Sequence, residues 1–477
     1  MSIIEKIDSA FAPISEAANA VIFFKVTLFG VALPLVVIWL ILAAIIFTFY
    51  LGFVNLKGFG HAVSLVTGRS KNDLSTKTSD EKSSGEISHF EALSSALSGT
   101  VGLGNIASVP LAIVLGGPGA IFWMIVAGFF GMSSKFAECS LAVKYRRVRP
   151  DGTTLGGPMF YIEEIFSRHG LNTIGKVAAI FFAVMTLGAS VSVFQVNQSY
   201  AQLNNVTNIE APFLYGIIIS TLVGIVILGG IKKIAKVTRV LVPLMGAVYL
   251  GAAIIIIILN ITAIPDVIAM IFKGAFGLEA AGGGFVGAIV NGIQRATYSS
   301  EAGVGSAAIA HSAVRTNEPL TEGYVALLEP FIDTIVVCTI TALVILVTGA
   351  HLPFLEIEGK LRGIEITSAA FESTFSWYPY VLLVSVVLFA FSTLVTWAFY
   401  GSQAAIYLFG DTKKVDVTFK VVLCMLLSTG AAISLTSIVD FIDAMLFGMC
   451  IPNIIALYLL MPELKADLKA YNAKYRA

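Results

Sequence analysis

Ser98-Gly99-Thr100-Val101-Gly102-Leu103-Gly104-Asn105-Ile106-Ala107 and Ser299-Ser300-Glu301-Ala302-Gly303-Val304-Gly305-Ser306-Ala307-Ala308 are the two stretches on which the reading of this chain turns. Both contain Gly-x-Gly-[Asn/Ser]-apolar-Ala, with Gly102 matching Gly303 at an offset of 201 residues. Glycine inside a helix costs about 1 kcal/mol relative to alanine, so paired glycines beside small polar residues mark places where a helix yields. Close packing of small faces between transmembrane helices is the competing account of one such cluster. Two clusters at corresponding places favour interruption of the helix.

The surrounding sequence makes these interruptions intramembrane. The chain is 57% hydrophobic and only 13% charged, with a mean hydropathy of +0.88. Soluble domains are roughly 45–50% apolar and 25% charged, so this surface faces lipid. A net charge of zero excludes a basic nucleic-acid binder. Cys139, Cys338, Cys424 and Cys450 each stand alone in or beside apolar runs and read as small hydrophobes, not disulfides or metal ligands. The first apolar run, beginning near Val21, is too long for a cleavable signal and contains Pro34.

A bilayer core takes about 20 apolar residues in helix. Runs of that kind lie near 22–53, 90–115, 119–144, 177–203, 212–230, 238–260, 284–311, 321–349, 379–409, 416–436 and 440–461, which predicts about eleven spans. The two glycine-bearing runs are the least hydrophobic. With the N-terminus outside, 23 of the thirty basic residues fall in loops predicted cytoplasmic and five outside; Lys135 and Arg295 lie within spans. That asymmetry predicts N-out, C-in in the plasma (inner) membrane. The expected order is an extra N-terminal helix (1–60), a cytoplasmic linker (61–89), five spans (90–262), five more (284–462) and a cytoplasmic tail (463–477). Five is odd, so the second block enters from the opposite side and the repeats are inverted.

Interrupted spans at matching positions of two inverted halves point to a transporter's binding site. Unwinding frees N–H groups that attract a carboxylate and carbonyls that replace the water shell of a cation. Irregular backbone at this depth is tolerated where it lines a cavity. Neither cluster ends in the Lys-Ser/Thr of a phosphate-cradling loop, which argues against an ATP-driven pump.

SALSGTVGLGNIASVPLAIVLGGPGAIFWMIVAGFFGMSSKFAECSLAVKYR, QRATYSSEAGVGSAAIAHSA, the EPFIDT of Glu329–Thr334 and the FSTLVTWAFYG of Phe391–Gly401 resemble the alanine/glycine:cation symporter family. The resemblance runs from about Gly85 to the last span. It implies an all-α, LeuT-like fold of five plus five inverted helices with one in front, and uptake of small neutral amino acids coupled to Na⁺. TVGLGN is similar, more distantly, to the first-helix pattern of neurotransmitter:sodium symporters. Transferred, that pattern puts the carbonyls of Ser98 and Val101 with the side chains of Ser392 and Thr393 around one Na⁺. The Thr100 carbonyl and the Asn105 side-chain oxygen would serve a second ion. From the residues alone, Ser392 and Thr393 read as helix hydroxyls back-bonding to a carbonyl one turn earlier. The resemblance also implies a substrate site at Thr100, Gly102, Gly104, Gln195, Tyr298, Ser299, Gly303 and Trp397. Leu103, Pro110, Ala296, Tyr298 and Ser300 depart from the family pattern beside that pocket, which leaves the particular amino acid open.

Other polar residues inside spans are costly and so are candidates for function. Asn197 reads as an interhelical hydrogen bond, and Trp397 as either a pocket cap or a packed indole. Lys135 and Glu138, three apart, are expected to pair locally, and Arg295 with Glu301 to form a structural or gating pair. Glu329 and Asp333 share a helix face and would either carry a cation or proton or hold the adjacent broken helix. His311 reads as polar trim at a helix end. Five histidines with none paired at ligand spacing offer no enzyme site. A channel lacks both an arginine-rich sensor and a filter repeat. No organic cofactor or obligatory protein partner is expected; the expected partners are a small neutral amino acid, Na⁺ and the bilayer. H⁺ coupling, or exchange, on the same fold is the alternative.

Overall fold

The run expected to cross first, near 22–53, does not fold as one helix. A computed structural model describes residues 3–28, 31–69, 85–277, 284–355 and 361–475. In it an amphipathic helix, α1 (Ile3–Ile22), is followed by an antiparallel hairpin of β1 (Lys25–Leu28) and β2 (Val31–Pro34), and only then by α2 (Leu35–Tyr50). Lys25-Val26-Thr27-Leu28 alternates polar and apolar residues with a period of two, the strand pattern. Pro34, which has no N–H to give, sits extended at φ −64°, ψ 118° just before α2. α1 lies on the last helix: Phe11 meets Phe441 with ring centroids 5.1 Å apart, and Ser15 donates to the Ser437 carbonyl at 2.7 Å. Of the expected linker, α3 (Phe59–Val66) is helical and residues 70–84 lie outside the described residues.

The first interrupted span is α4 (His89–Thr100) and α5 (Leu103–Gly116), bent by 47°. α6 (Ala120–Lys144) follows, then a short connecting helix, α7 (Pro158–Arg168). α8 (Asn172–Ser190) and α9 (Val193–Thr207) form one long span broken at Ser192, whose φ is +39°. α10 (Pro212–Ile227) and α11 (Gly230–Leu259) complete the half. After α12 (Ile264–Phe276) the order repeats. α13 (Gly284–Ser300) and α14 (Ser306–His311) are interrupted, α15 (Pro319–Thr348) is long and α16 (Ile364–Glu372) connects. α17 (Tyr378–Phe409), α18 (Lys413–Leu427) and α19 (Leu435–Tyr475) follow. The connecting helices α7 and α16 fall between the same members of each half, and each is too short to span a bilayer.

Among the described residues seven helices are long and apolar enough to cross a membrane, and the bent pair makes an eighth; α2 and α10 are apolar but shorter. Burial separates inner from outer helices. The apolar stretch of α17 is 67% buried, that of α11 only 22% and that of α18 28%. Ile217, Leu222, Ile225, Leu244, Ile255 and Ile258 are exposed on α10 and α11. A water-facing surface would not carry them, and the chain is a multi-pass membrane protein. The interrupted helices lie inside this shell, α4 against α11 and α17, α13 against α6 and α5.

Candidate functional site

α4 begins with a capping box. Ser88 Oγ accepts from the Glu91 N–H at 3.3 Å, while Glu91 accepts the Ser88 N–H at 3.0 Å. The helix stops after Thr100, with Val101 and Gly102 extended. Gly102 is required by close approach: a Cβ there would overlap the Thr393 hydroxyl on α17 and lie 3.6 Å from Gln195 Oε1. Around this break Thr393 Oγ1 donates to the Ser98 carbonyl at 2.9 Å, and Ser98 Oγ donates to the Ser392 carbonyl at 2.8 Å. Thr396 Oγ1 reaches the Ser95 carbonyl at 3.2 Å. Ser392 Oγ bonds back to Phe389 O at 3.0 Å, the local pattern its helix position allows, whereas Thr393 reaches across. Ser98 and Gly102 of the break thus meet Ser392 and Thr393 of α17 at one place, with Val101 between the first two in sequence.

Asn105 joins the two breaks. Its amide oxygen accepts the Gly102 N–H at 2.9 Å. Its amide nitrogen donates to Ser299 Oγ at 2.9 Å and to Asp333 Oδ1 at 2.7 Å. Ser299 Oγ donates in turn to Asp333 Oδ2 at 2.5 Å, and Thr334 Oγ1 to the same oxygen at 2.8 Å. Asp333 sits in a π-helical stretch, Phe331–Cys338, that begins after Pro330. Such stretches recur at functional sites. Gln195 Oε1 accepts the Leu103 N–H at 3.4 Å. Tyr298 faces Gly104 (a Cβ there would be 3.5 Å from its ring) and meets Phe194 edge-on at 5.3 Å.

Gly102, Gly104, Gln195, Tyr298 and Ser299 therefore surround the first break. Thr100 lies at its edge, its hydroxyl bonded back to Ala96 and Leu97 carbonyls at 3.3 and 3.4 Å. Gly303 faces elsewhere: its carbonyl accepts Asn453 Nδ2 at 2.9 Å, and Leu40 of α2 covers its Cα. At the second break Glu301, Gly303 and Gly305 have φ of +53°, +83° and +89°, so the helix ends in left-handed backbone that favours glycine. Trp397 Nε1 donates to Glu301 Oε1 at 3.1 Å, and Ser306 caps the other carboxylate oxygen. Asn197 donates to the Ile433 carbonyl at 2.8 Å, an interhelical bond.

One expected pairing gains a second partner, one is replaced, and one residue expected as trim is not. Lys135 keeps the expected local pair with Glu138 at 3.8 Å but lies closer, 3.1 Å, to Glu329, a second carboxylate that α15 brings to it. Arg295 pairs with Asp443 on α19 rather than with Glu301, which lies past the break and has turned to Trp397. His311 is not trim but fully buried between Glu322 and Glu329. His89 and Glu322 are further members of this network that sequence reasoning missed; 233 residues separate them, beyond any local pattern. Asp333 and Glu329, four apart, serve different networks: Asp333 holds both interrupted helices and Glu329 the charged cluster.

The family model described as the sodium:alanine symporter family matches residues 16–477. The chain belongs to that family. Among relatives of this symporter-family chain, sodium/alanine symporter AgcS of Methanococcus maripaludis is 37% identical over 441 residues, covering 92% of this chain and 94% of the relative. The probable sodium/glutamine symporter GlnT of Bacillus subtilis is 32% identical over 452 residues, covering 93% and 89%. The crystal structure of MhsT in complex with L-phenylalanine overlays with a TM-score of 0.56 at 15% identity, covering 81% of this chain and 99% of that one. The fold is the LeuT type, and the symporter-family chain is a transporter, not an enzyme.

Proposed function

We propose that the protein is a Na⁺-coupled symporter that carries a small neutral amino acid into the cell by alternating access. It would do so with eleven spans in the plasma membrane, N-terminus outside and C-terminus inside. The observation that carries this reading is the meeting of Thr393 Oγ1 with the Ser98 carbonyl at the first break, 2.9 Å apart. Carbonyl, hydroxyl and amide oxygens suit a hard monovalent cation, which takes the place of the proton between them once the Thr393 hydroxyl turns its lone pair inward. Val101 and Ser392 complete that set, and Asn105 with Thr100 stands ready for a second ion. Membership of a family named for sodium and alanine supports the coupling and the cargo class.

A cation there would draw the Ser98 and Val101 carbonyls together and leave the amide groups around Gly102 and Gly104 to meet the substrate carboxylate. Gln195 and carbonyls at the second break would receive the ammonium. Tyr298, with Trp397 deeper, would bound a small side chain. Relatives named for alanine and for glutamine both fit a neutral amino acid, and Tyr298 limits its size. Uptake of labelled alanine, glycine and glutamine into proteoliposomes tests the reading, with a Na⁺ gradient or a pH gradient imposed alone. Thr393→Ala should raise the Na⁺ concentration for half-maximal uptake by about tenfold, as for loss of one contact of about 1.4 kcal/mol, while Thr393→Ser should stay near wild type. Unchanged Na⁺ dependence in Thr393→Ala would overturn the ion assignment.

Proton coupling through Asp333 is the second reading, favoured by a fully buried carboxylate that touches both interrupted helices. Uptake driven by a pH gradient without Na⁺, lost in Asp333→Asn, would select it.

A further inference from the structure

The charged cluster below the second break holds a feature that the symport reading does not use. Both ring nitrogens of His311 face carboxylates: Nδ1 lies 2.5 Å from Glu322 Oε1, and Nε2 lies against Glu329 Oε1. All three side chains are fully buried. A neutral imidazole has one N–H and one bare lone pair. Between two carboxylates that lone pair would face an oxygen with no water to separate them, an unfavourable contact where the dielectric is low. The site therefore needs one more proton, and the imidazole, the more basic of the groups in contact, is the one that takes it. Two donated N–H bonds to two carboxylates are the arrangement an imidazolium makes.

The surroundings are consistent with one added positive charge. α6 contributes Lys135, 3.1 Å from Glu329 Oε2, with Glu138 at 3.8 Å from the same ammonium, and the Cys139 thiol. α4 contributes His89, whose Nδ1 lies against Glu322 Oε2. The segment after α6 brings Arg146, which donates to the Ser312 and Thr316 carbonyls beside Glu322. Glu301 at the break and the Tyr400 phenol on α17 face the cluster from above. Tyr161 and Asn453 bond to each other behind Glu138. With both ring nitrogens taken by carboxylates, His311 keeps no lone pair for a metal shared with Cys139.

We propose that Glu322, His311 and Glu329 form a proton-binding site, distinct from the ion and substrate site, that latches the two interrupted helices together. Glu322 is the shared partner: one oxygen takes His89, the first residue of α4, and the other takes His311, the last residue of α14. α4 is joined to α5 only through the non-helical Val101 and Gly102, so its far end is held by this carboxylate together with the backbone bonds of Glu86 and Ile87 to Ala313 and Arg315. Loss of the proton sets the His311 lone pair against a carboxylate and loosens that end. The proposal does not depend on which ion or amino acid is carried.

The test uses the full-length protein in liposomes, labelled with ¹⁵N only at its five histidines. At pH 8 an ordinary histidine, with a pKa of about 6.5, is neutral. The expected spectrum at pH 8 contains a ring protonated on both nitrogens that disappears in His311→Gln. A bare nitrogen on every ring would overturn the proposal. If His311→Gln does not assemble, Glu329→Gln serves: the doubly protonated ring should titrate at least about one pH unit lower, and an unmoved midpoint would count against it. Hydrogen exchange tests the latch. In Glu322→Gln the first turn of α4 should exchange about tenfold faster than in wild type while α10 is unchanged; equal exchange in α4 would overturn the latch.

Discussion

Replacing Asn105 with alanine removes a side chain that, together with Asp333, ties the two interrupted helices to each other. Two losses follow from its geometry. The Gly102 N–H, now 2.9 Å from the amide oxygen, is left buried without an acceptor, which costs about 1–3 kcal/mol. Asp333 loses the amide donor at 2.7 Å but keeps the Ser299 and Thr334 hydroxyls at 2.5 and 2.8 Å. One bond to a charged acceptor is worth about 1.5–3 kcal/mol. Because the two losses share one side chain they do not simply add, and about 3–5 kcal/mol is the expected destabilisation. Thermal unfolding in detergent measures it; at roughly 2 °C per kcal/mol for a large chain the midpoint should fall by about 6–10 °C. Asp333→Asn in the same chain removes the charge that lost one of its three donors, so the double variant should be more stable than the sum of the single losses by about 1–2 kcal/mol. A midpoint in Asn105→Ala within about 1 °C of wild type, or strict additivity in the double variant, would refute this account of how the breaks are joined.

Three further outcomes rest on separate contacts. Gly102→Ala drives a methyl into the Thr393 hydroxyl and should cost about 1–3 kcal/mol, read as lower thermal stability; adding Thr393→Ala should recover part of the loss by making room. Lys135→Met leaves Glu138 buried without its cation and Glu329 with His311 alone, an expected loss of about 3–5 kcal/mol that Glu329→Gln in the same chain should reduce; no recovery would mean that the pair is not coupled. Trp397→Phe keeps an aromatic ring but removes the donor 3.1 Å from Glu301, so stability should fall by about 1.5–3 kcal/mol, with Glu301→Gln lessening the effect in a double-variant melt.

Which parts of this were legible in the sequence follows from the range of the interactions. The breaks are local: Gly-x-Gly beside small polar residues weakens helix wherever it occurs, and both interruptions lie within the quoted stretches. Long apolar runs likewise set most helix positions to within a few residues. The hairpin at Lys25–Pro34 was hidden because apolar residues dominate the whole stretch and a short alternation within it carries little weight. Charge partners were hidden for a different reason. Lys135 and Glu138 are neighbours on any helix, so sequence pairs them, yet the third dimension adds Glu329. Arg295 finds Asp443 148 residues away, and His89 finds Glu322 across 233. The meeting of Ser98 with Ser392 and Thr393 was reached through family resemblance; their own local pattern reads only as back-bonding hydroxyls, which for Ser392 is what the geometry shows.

The hub at Asp333 gives the candidate ion site its electrostatic setting. Among the described residues its hydrogen-bond donors are Asn105, Ser299 and Thr334, all uncharged. Lys135 is engaged by Glu329 and Glu138, and Arg295 by Asp443. Neutral donors stabilise a buried carboxylate without cancelling its charge, and a buried charge left uncompensated is costly. A monovalent cation near Asn105 would supply that compensation while touching only carbonyl, hydroxyl and amide oxygens. The cation would then act on both interruptions, because the side chain that holds Gly102 in the first is bonded to Ser299 at the end of α13 in the second. On this account coupling between ion and substrate needs no long path through the protein: the same few hydrogen bonds fix the carbonyls for one and the amides for the other.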